Sequence, residues 1–381
     1  MYLIKNATVY TMADDKVREH TDILCDKGKI AKIGKDLEAK GAKVLDASGL
    51  VVTPGLIDAH VHTGGFDLAS PDLNEATDPN TAQLDALAAI DIHSNDFKEL
   101  HKRGVTSACF IPGSANVVCG TGFVAKTAGK NSIEELAVLH PAVMKCAMGW
   151  NPKGYGKRGQ APQSRMGVAD IFRSALRTAQ QYRDKKIAAG DDKDKLPPYD
   201  AKSEALIPVL EKKLPLKVHC EQFDMLTVIA IAKEFDCDYT LEHGWACNLY
   251  VDELVKGGGP VNFGPIGIAE GYGELTGGDV AYVKALDDKG LTVSLITDGP
   301  IYAPQVLLIS AGEAVRYGIS HHRALRMVTI NPATALRVAD RLGSIEEGKD
   351  ADLVVWNGVP ALETKAKPLY TIIDGEVVYK A

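Results

Sequence analysis

The rhythm of apolar positions changes twice along this chain. Residues 1–52 read as short β segments broken by turns: YLIKNATVYTM, DILCDKGKIAKIG and KVLDASGLVV alternate or run apolar, and Asp26-Lys27-Gly28-Lys29 has the form of a hairpin turn. From Gly348 the same grammar returns in ADLVVWNG and LYTIIDGEVVYKA, hinged at Asp374-Gly375. Neither end is large enough for a core of its own, so the two are expected to combine into one small β-domain. Between them, apolar strand-like runs (SACFIPG, AVMKCAMG, LKVHC, DYTLEHG, GPVNFGPIG, TVSLITDG) alternate with helical patterns. The helical patterns fall at 81–103, 133–139, 168–189, 203–213, 224–235, 278–289, 305–317 and 321–338. Such alternation predicts an α/β fold on a parallel sheet. Eight strand–helix units occupy about 250 residues, which suits the span 53–344. The expected domains are therefore 1–52 plus 345–381, and 53–344. The charge-dense stretch 183–202 mixes both signs and reads as a surface excursion.

Chemistry gathers at the strand ends. The run VVTPGLIDAHVHTGG delivers His60 and His62 one residue apart, and residues i and i+2 of a strand share a face. Two neutral imidazoles side by side supply half of a metal site. His219 ends LPLKVHC, His243 ends CDYTLEHG and Asp298 ends LTVSLITDG. In a βα barrel these ends open onto one mouth. Any one of the five alone reads as an ordinary hydrogen-bonded residue. Together they offer four imidazoles and a carboxylate, a set suited to a divalent metal, with Zn²⁺ as first choice.

Composition narrows the setting. The 381 residues are 45% hydrophobic and 24% charged, with a formal charge of −7. That balance gives no electrostatic reason to expect nucleic acid or an anionic membrane as partner. Seven scattered cysteines, odd in number and without a C-x-x-C pair, read as reduced thiols rather than a disulfide framework. The N-terminal MYLIKNATVY lacks a basic segment ahead of an apolar core, and no run approaches the roughly 18 apolar residues of a membrane span. The expectation is a cytoplasmic protein acting on a small molecule, with a homo-oligomer as an open possibility.

The pattern GLIDAHVH, one His in each of two later strands and a final TDGP resembles the amidohydrolase superfamily, as does the tail GSIEEGKDADLVVWNG. Three further segments look like its imidazolonepropionase-like and prolidase-like branch: 104–129, 151–173 and LPLKVHCEQ (214–222). The resemblance covers essentially the whole chain. It implies a (β/α)8 TIM barrel with a composite β-sandwich built from both termini. It also implies one or two divalent ions bound by His60 and His62 from the first strand, His219 and His243 from the fifth and sixth, and Asp298 from the eighth. Asp298 would also accept a proton from the attacking water and pass it to the leaving nitrogen. The implied activity is hydrolysis of a C–N bond in a cyclic amide or dipeptide-like small molecule.

Two departures stand out. Related binuclear enzymes bridge their ions with a carboxylated Lys or a Glu from the fourth strand. Lys145 lies on a suitable strand but before its expected end, and Trp150 stands where many relatives of the branch carry Glu. Lys145 is therefore left outside the candidate set. Gly299 follows Asp298 where relatives often have His. Weaker candidates are the Gly- and Ser-rich run 111–122 as an anion-binding loop that needs positive φ at Gly113 and Gly120, and Lys153, Lys157, Arg158 and Arg165 as carboxylate-binding cations. Glu221 and Gln222 could orient a ligand or touch substrate, whereas Glu242 is read as structural and facing away. His93, His101, His140 and the pair His321-His322 are assigned no chemistry. Two alternatives remain: a deaminase of the same superfamily, with Glu221 as its acid, and a non-catalytic scaffold on the same fold.

Overall fold

In a computed structural model that describes residues 1–66, 72–267 and 277–381, two sheets organise the chain. The first contains β1 (Tyr2–Tyr10), β2 (Val17–Asp26), β3 (Lys29–Gly34), β4 (Lys43–Asp46) and β5 (Val51–Pro54). The second contains β6 (Leu56–Val61), β7 (Val105–Phe110), β8 (Val118–Lys126), β9 (Ala137–Ala147), β10 (Leu216–Cys220), β11 (Tyr239–His243), β12 (Val261–Phe263) and β13 (Val293–Leu295). The chain then returns to the first sheet with β14 (Leu353–Trp356), β15 (Pro368–Ile373) and β16 (Glu376–Lys380).

Strands from both ends of the chain thus share the first sheet, in the order β16-β15-β14-β5-β1-β2-β3, with β4 beside β1. The joint is antiparallel and in register, Leu353 opposite Pro54 and Trp356 opposite Val51. The far edge folds back: Ile30 donates its N–H to Lys349 O and Ala351 donates to Gly28 O. The enclosed core is small and aliphatic, with Ile4, Val9, Ile23, Ile30, Val52, Leu353, Val355 and Ile372 fully buried.

The second sheet runs β6 to β13 in sequence order, and the bridge between Val61 and Gly299 brings its last segment against its first. This is a (β/α)8-type barrel with one irregularity. β8 is antiparallel to both β7 and β9. Its first five residues, 118–122, lie in the Gly- and Ser-rich stretch 111–122 that, by pattern, suggests a loop. Only the part before Val118 is loop, and all of β8 except Thr121 is buried. Gly120 has φ +127°, and a Cβ there would meet Leu84 O at 2.5 Å. Gly113, expected at positive φ, is needed for a different reason: a Cβ would meet the Asn74 side chain at 2.4 Å.

Helices cover the barrel mainly in its second half. The stretch 81–103 is not one helix; a 3₁₀ turn at Ala86–Ala89 precedes the helix Asn95–Lys102, capped by Ser94 Oγ on Phe97 N–H. Phe97 stacks on Phe110 and Phe110 on Phe123, each pair at 5.4 Å between centroids, so one aromatic column joins this helix to β7 and β8. The helices Arg165–Ala189, Ala201–Leu210, Asp224–Phe235 and Gln305–Arg316 follow the sequence periodicity closely. The pattern at 321–338 is broken into His321–Arg326 and Ile330–Ala335. No helix among the described residues is long and apolar enough to cross a membrane.

Candidate metal centre

Four strand ends bring the five candidate residues together at the barrel mouth. His60 and His219 are the penultimate residues of β6 and β10, and His62 follows the end of β6; His243 closes β11, and Asp298 lies just beyond β13. His243 and Asp298 both adopt left-handed backbone conformations, φ +68° and +55°. Such conformations cost of order 1–3 kcal/mol for non-glycine residues and concentrate at functional sites. Here they swing the side chains off the strand axis into the mouth.

The hydrogen bonds fix which imidazole atom faces the centre. His62 donates Nδ1–H to Ile111 O at 2.9 Å, His243 donates Nδ1–H to Gly264 O at 2.8 Å, and His60 donates Nδ1–H to Glu242 Oε2 at 2.8 Å. A carbonyl or carboxylate oxygen can only accept, so each Nδ1 carries the proton and each Nε2 keeps its lone pair. His219 is the reverse. Its Nε2–H donates to Glu221 Oε1 at 2.7 Å, and its buried Nδ1 has no hydrogen-bond partner. Ring centroids are 5.2 Å apart for His60–His62, 4.9 Å for His60–His243 and 4.2 Å for His219–His243. Asp298 Oδ1 lies 3.4 Å from His60 Nε2 and 3.2 Å from His62 Nε2. Among the described residues, His60, His243 and Asp298 form a group whose donor atoms all fall within 4.8 Å of one another.

Burial sets the charges. It pushes the His219 and His243 imidazoles well below the usual histidine range, helped by Lys145 for His219 and by His219 for His243. His60 is lowered by burial and then by Lys145. Burial alone would raise the Asp298 carboxyl, but its contacts with His60 and His62 hold it well below the ordinary carboxylate range. Burial thus favours the neutral imidazole at His60, His219 and His243, beside one carboxylate.

Two residues outside the candidate set belong to this neighbourhood. Lys145, fully buried on β9, brings Nζ to 3.4 Å from His60 Nε2, and burial depresses its amine. β9 ends at Ala147 rather than at Trp150, so Lys145 lies near the strand's end after all. Glu242, expected to face away, is fully buried beneath His60. One signal was available for both: each is a charged residue in an otherwise apolar or small strand, where only the barrel interior can accommodate it. Asp58 ties the first strand to the last, accepting from Thr297 Oγ1 at 2.5 Å and from His60 N–H at 3.2 Å. Burial raises its carboxyl to about 7.

Above the imidazoles lies a cavity of about 510 Å³, bounded by His62, His219 and Asp298 on its floor and by Ser114, Trp150, Lys153 and Lys157 on its wall. Trp150 is half exposed at the start of the 3₁₀ segment Asn151–Arg158. The two arginines of the sequence reading have identified partners. Arg158 stacks on Tyr155 at 4.5 Å, and Arg165 binds both oxygens of Asp224 at 3.0 Å.

The comparisons with known proteins agree with this architecture. A crystal structure of an amidohydrolase from Thermotoga maritima MSB8 superimposes with a TM-score of 0.95 at 36% identity, covering 100% of both chains. The chain belongs to the amidohydrolase family. The family model described as Amidohydrolase family matches residues 274–378 of this amidohydrolase. Amidohydrolase tasK of Hapsidospora irregularis is 30% identical over 98% of the chain, which spans only 42% of that longer relative. Imidazolonepropionase of Thermoplasma acidophilum is 23% identical over 96% of the chain and 91% of its own length.

Proposed function

We propose that this amidohydrolase is a metal-dependent hydrolase that cleaves a C–N bond, of a cyclic amide or dipeptide-like kind, in a small molecule. The observation that carries this reading is the committed Nδ1 of His60, His62 and His243, which leaves three Nε2 lone pairs turned toward one carboxylate. The residues fit a divalent ion: His60, His62, His219, His243 and Asp298 offer nitrogen and oxygen donors of the kind Zn²⁺ takes. The orphaned His219 Nδ1 and the Asp298 Oδ1 atom, which has no hydrogen-bond partner, are the buried polar atoms such an ion would satisfy. When bound, the ion acidifies water and polarises the scissile carbonyl. Asp298, kept anionic, accepts the proton of the attacking water on its carboxylate and delivers it to the departing nitrogen. His60, His219 and His243, which burial favours as neutral imidazoles, do not compete for that proton. Lys145 is on the fourth barrel strand, the strand from which related binuclear enzymes supply a carboxylated lysine, with Nζ 3.4 Å from His60 Nε2. This favours two ions over one, and Lys145→Met should then lower the metal content of the purified protein from two equivalents to one.

The cavity is of small-molecule size, and Lys153 and Lys157 on its wall suit a substrate carboxylate. The deaminase alternative draws on Glu221. Its Oε1 accepts from His219 at 2.7 Å, so the carboxylate is engaged in orienting an imidazole rather than poised to protonate a ring nitrogen. Elemental analysis of wild type, His60→Ala and Asp298→Ala tests the reading. His60→Ala should lose metal, and Asp298→Ala should keep part of it while losing turnover. Full metal content in His60→Ala would sink the site, and ammonia as the released product would move the enzyme to the deaminases.

A further inference from the structure

Below the mouth, the barrel interior carries a second polar layer that the reaction itself does not use. Glu242 on β11 is fully buried. Its Oε2 lies 2.8 Å from His60 Nδ1 and 2.8 Å from Nζ of Lys217, itself fully buried on β10. Its Oε1 accepts from Thr240 Oγ1 at 2.6 Å and from Asn262 Nδ2 at 2.8 Å. Both carboxylate oxygens are thus held by two neighbours each, from three strands and from its own.

We propose that Glu242 is the positioning residue of this centre, fixing His60 in the tautomer that presents Nε2 to the mouth, while Lys217 balances its charge. The inference rests on the reading of His60 as a metal ligand. Three arguments carry it. First, a buried ion pair is at best weak evidence for stability, because an apolar pair of equal volume often serves a fold as well. The barrel nevertheless keeps one where it touches a candidate ligand. Second, His62 and His243 lean on neutral backbone carbonyls, Ile111 O and Gly264 O. Among these three, His60 alone leans on a carboxylate, which raises the donor strength of the opposite nitrogen. Third, the four contacts leave Glu242 no freedom to turn. The Nδ1–H assignment follows from the partner's inability to donate.

Glu242→Gln in combination with Lys217→Met tests this sharply. Thr240 and Asn262 would hold the amide oxygen at the Oε1 position, which turns the amide N–H toward His60 Nδ1. His60 would then keep its lone pair on Nδ1 and carry hydrogen on Nε2, facing the mouth. The double variant should bind Zn²⁺ about 10–100-fold more weakly than wild type in competition with a chromophoric chelator. Its metal-free urea midpoint should stay at the wild-type value, because a neutral pair replaces an ion pair. The absorption bands of the Co²⁺-loaded protein should shift, and Glu242→Asp should recover part of the affinity. Wild-type Zn²⁺ affinity in the double variant overturns the inference. So does a metal-free double variant that no longer folds, since the pair would then serve the fold. His60→Ala, measured alongside, separates the two readings. If His60→Ala and wild type bind Zn²⁺ equally, the site itself is wrong and the inference falls with it. If only the Glu242 variant binds normally, the site stands and this inference alone fails.

Discussion

The barrel mouth and the opposite end of the barrel each bury a dense polar cluster, and the two are built on opposite logic. At the barrel mouth, imidazoles and a carboxylate turn their donor atoms inward with Lys145 Nζ, 3.4 Å from His60 Nε2, beside them, and among the described residues His219 Nδ1 and Asp298 Oδ1 have no hydrogen-bond partner. At the other end, Lys126 lies among three aspartates. It is 2.8 Å from Asp350, 3.2 Å from Asp352 and in close contact with Asp374. Asp350 also takes Lys29 at 2.5 Å and Arg341 at 2.8 Å. The second cluster is nearly complete within the protein. The first gathers donor atoms of the kind a divalent ion takes. Buried charge alone therefore does not mark a site, nor does one unpartnered oxygen such as Asp352 Oδ2; several metal-ligand donor atoms converging on one point do.

The topology explains the placement of both. Parallel strands bring their C-terminal ends, with His60, His219 and His243, to the mouth. β8 runs the other way, so its last residue, Lys126, pairs with Ser107 near the start of β7 and emerges at the opposite end. There it meets the turns around β14 and β15. The one antiparallel strand thus carries the cation that ties the barrel to the β-domain.

The largest expected effect is at the mouth. Removing the Asp298 carboxylate should cost about 10²–10⁴-fold in turnover, the usual range for a lost general base. Fold stability of the metal-free protein should fall less than in Lys126→Met, since losing this carboxylate leaves no buried acid without its cation. Steady-state rates and urea unfolding of Asp298→Ala check both halves. A large loss of stability with unchanged turnover would erase the contrast between the clusters.

Lys126→Met should do the reverse. It strands Asp352 without a cation and weakens the hold on Asp350, at a cost of about 3 kcal/mol in unfolding free energy, the low end for breaking a buried pair. Zn²⁺ affinity and turnover of the folded protein should stay at wild-type values. Equilibrium denaturation beside a metal titration reads both. A matching loss of metal affinity would mean that the two ends of the barrel are coupled.

How far the sequence disclosed this depended on the range of the interactions involved. His60, His62, His219, His243 and Asp298 were legible because each ends a short apolar run, and a strand's end is a local property. Lys145 and Glu242 were harder. Placing Lys145 required knowing that β9 stops at Ala147. The reading of Glu242 assumed strict alternation with His243, whereas the left-handed φ of His243 lets successive residues both serve the interior. That conformation is imposed by the turn toward Gly264, which accepts the His243 hydrogen bond across the next strand. The direction of β8 was hidden for a similar reason. Gly120 and Gly122 make VCGTGFVAK look like a loop, yet their missing side chains admit Leu84 O and Phe110 O at close approach. Helix periodicity, by contrast, is a nearest-neighbour property, and the run 224–235 coincides with the helix Asp224–Phe235.

The smallest expected effect lies inside the second cluster. Burial raises the Asp352 carboxyl to about 6 in spite of Lys126, whereas Asp350, despite burial, is held at about 2 by Lys126, Lys29 and Arg341. One lysine shared among three aspartates cannot compensate them equally, and Asp352 has no second cation. The two shifts act in separate windows. Because the folded state holds the Asp352 proton more tightly than the unfolded chain, stability should fall as pH rises from about 4 to about 6 and stay down above that. Asp350 acts oppositely, with stability present above about 4 and lost as pH falls toward 2. Asp352→Asn should therefore flatten the decline between pH 4 and 6. At pH 7 it should stabilise the protein by about 1–2 kcal/mol, less than the full linkage value because the contact with Lys126 is also lost. Urea unfolding at half-unit pH intervals measures the slope directly. An unchanged slope in Asp352→Asn would show that this carboxylate is as well compensated as Asp350, and that the second cluster is complete without exception.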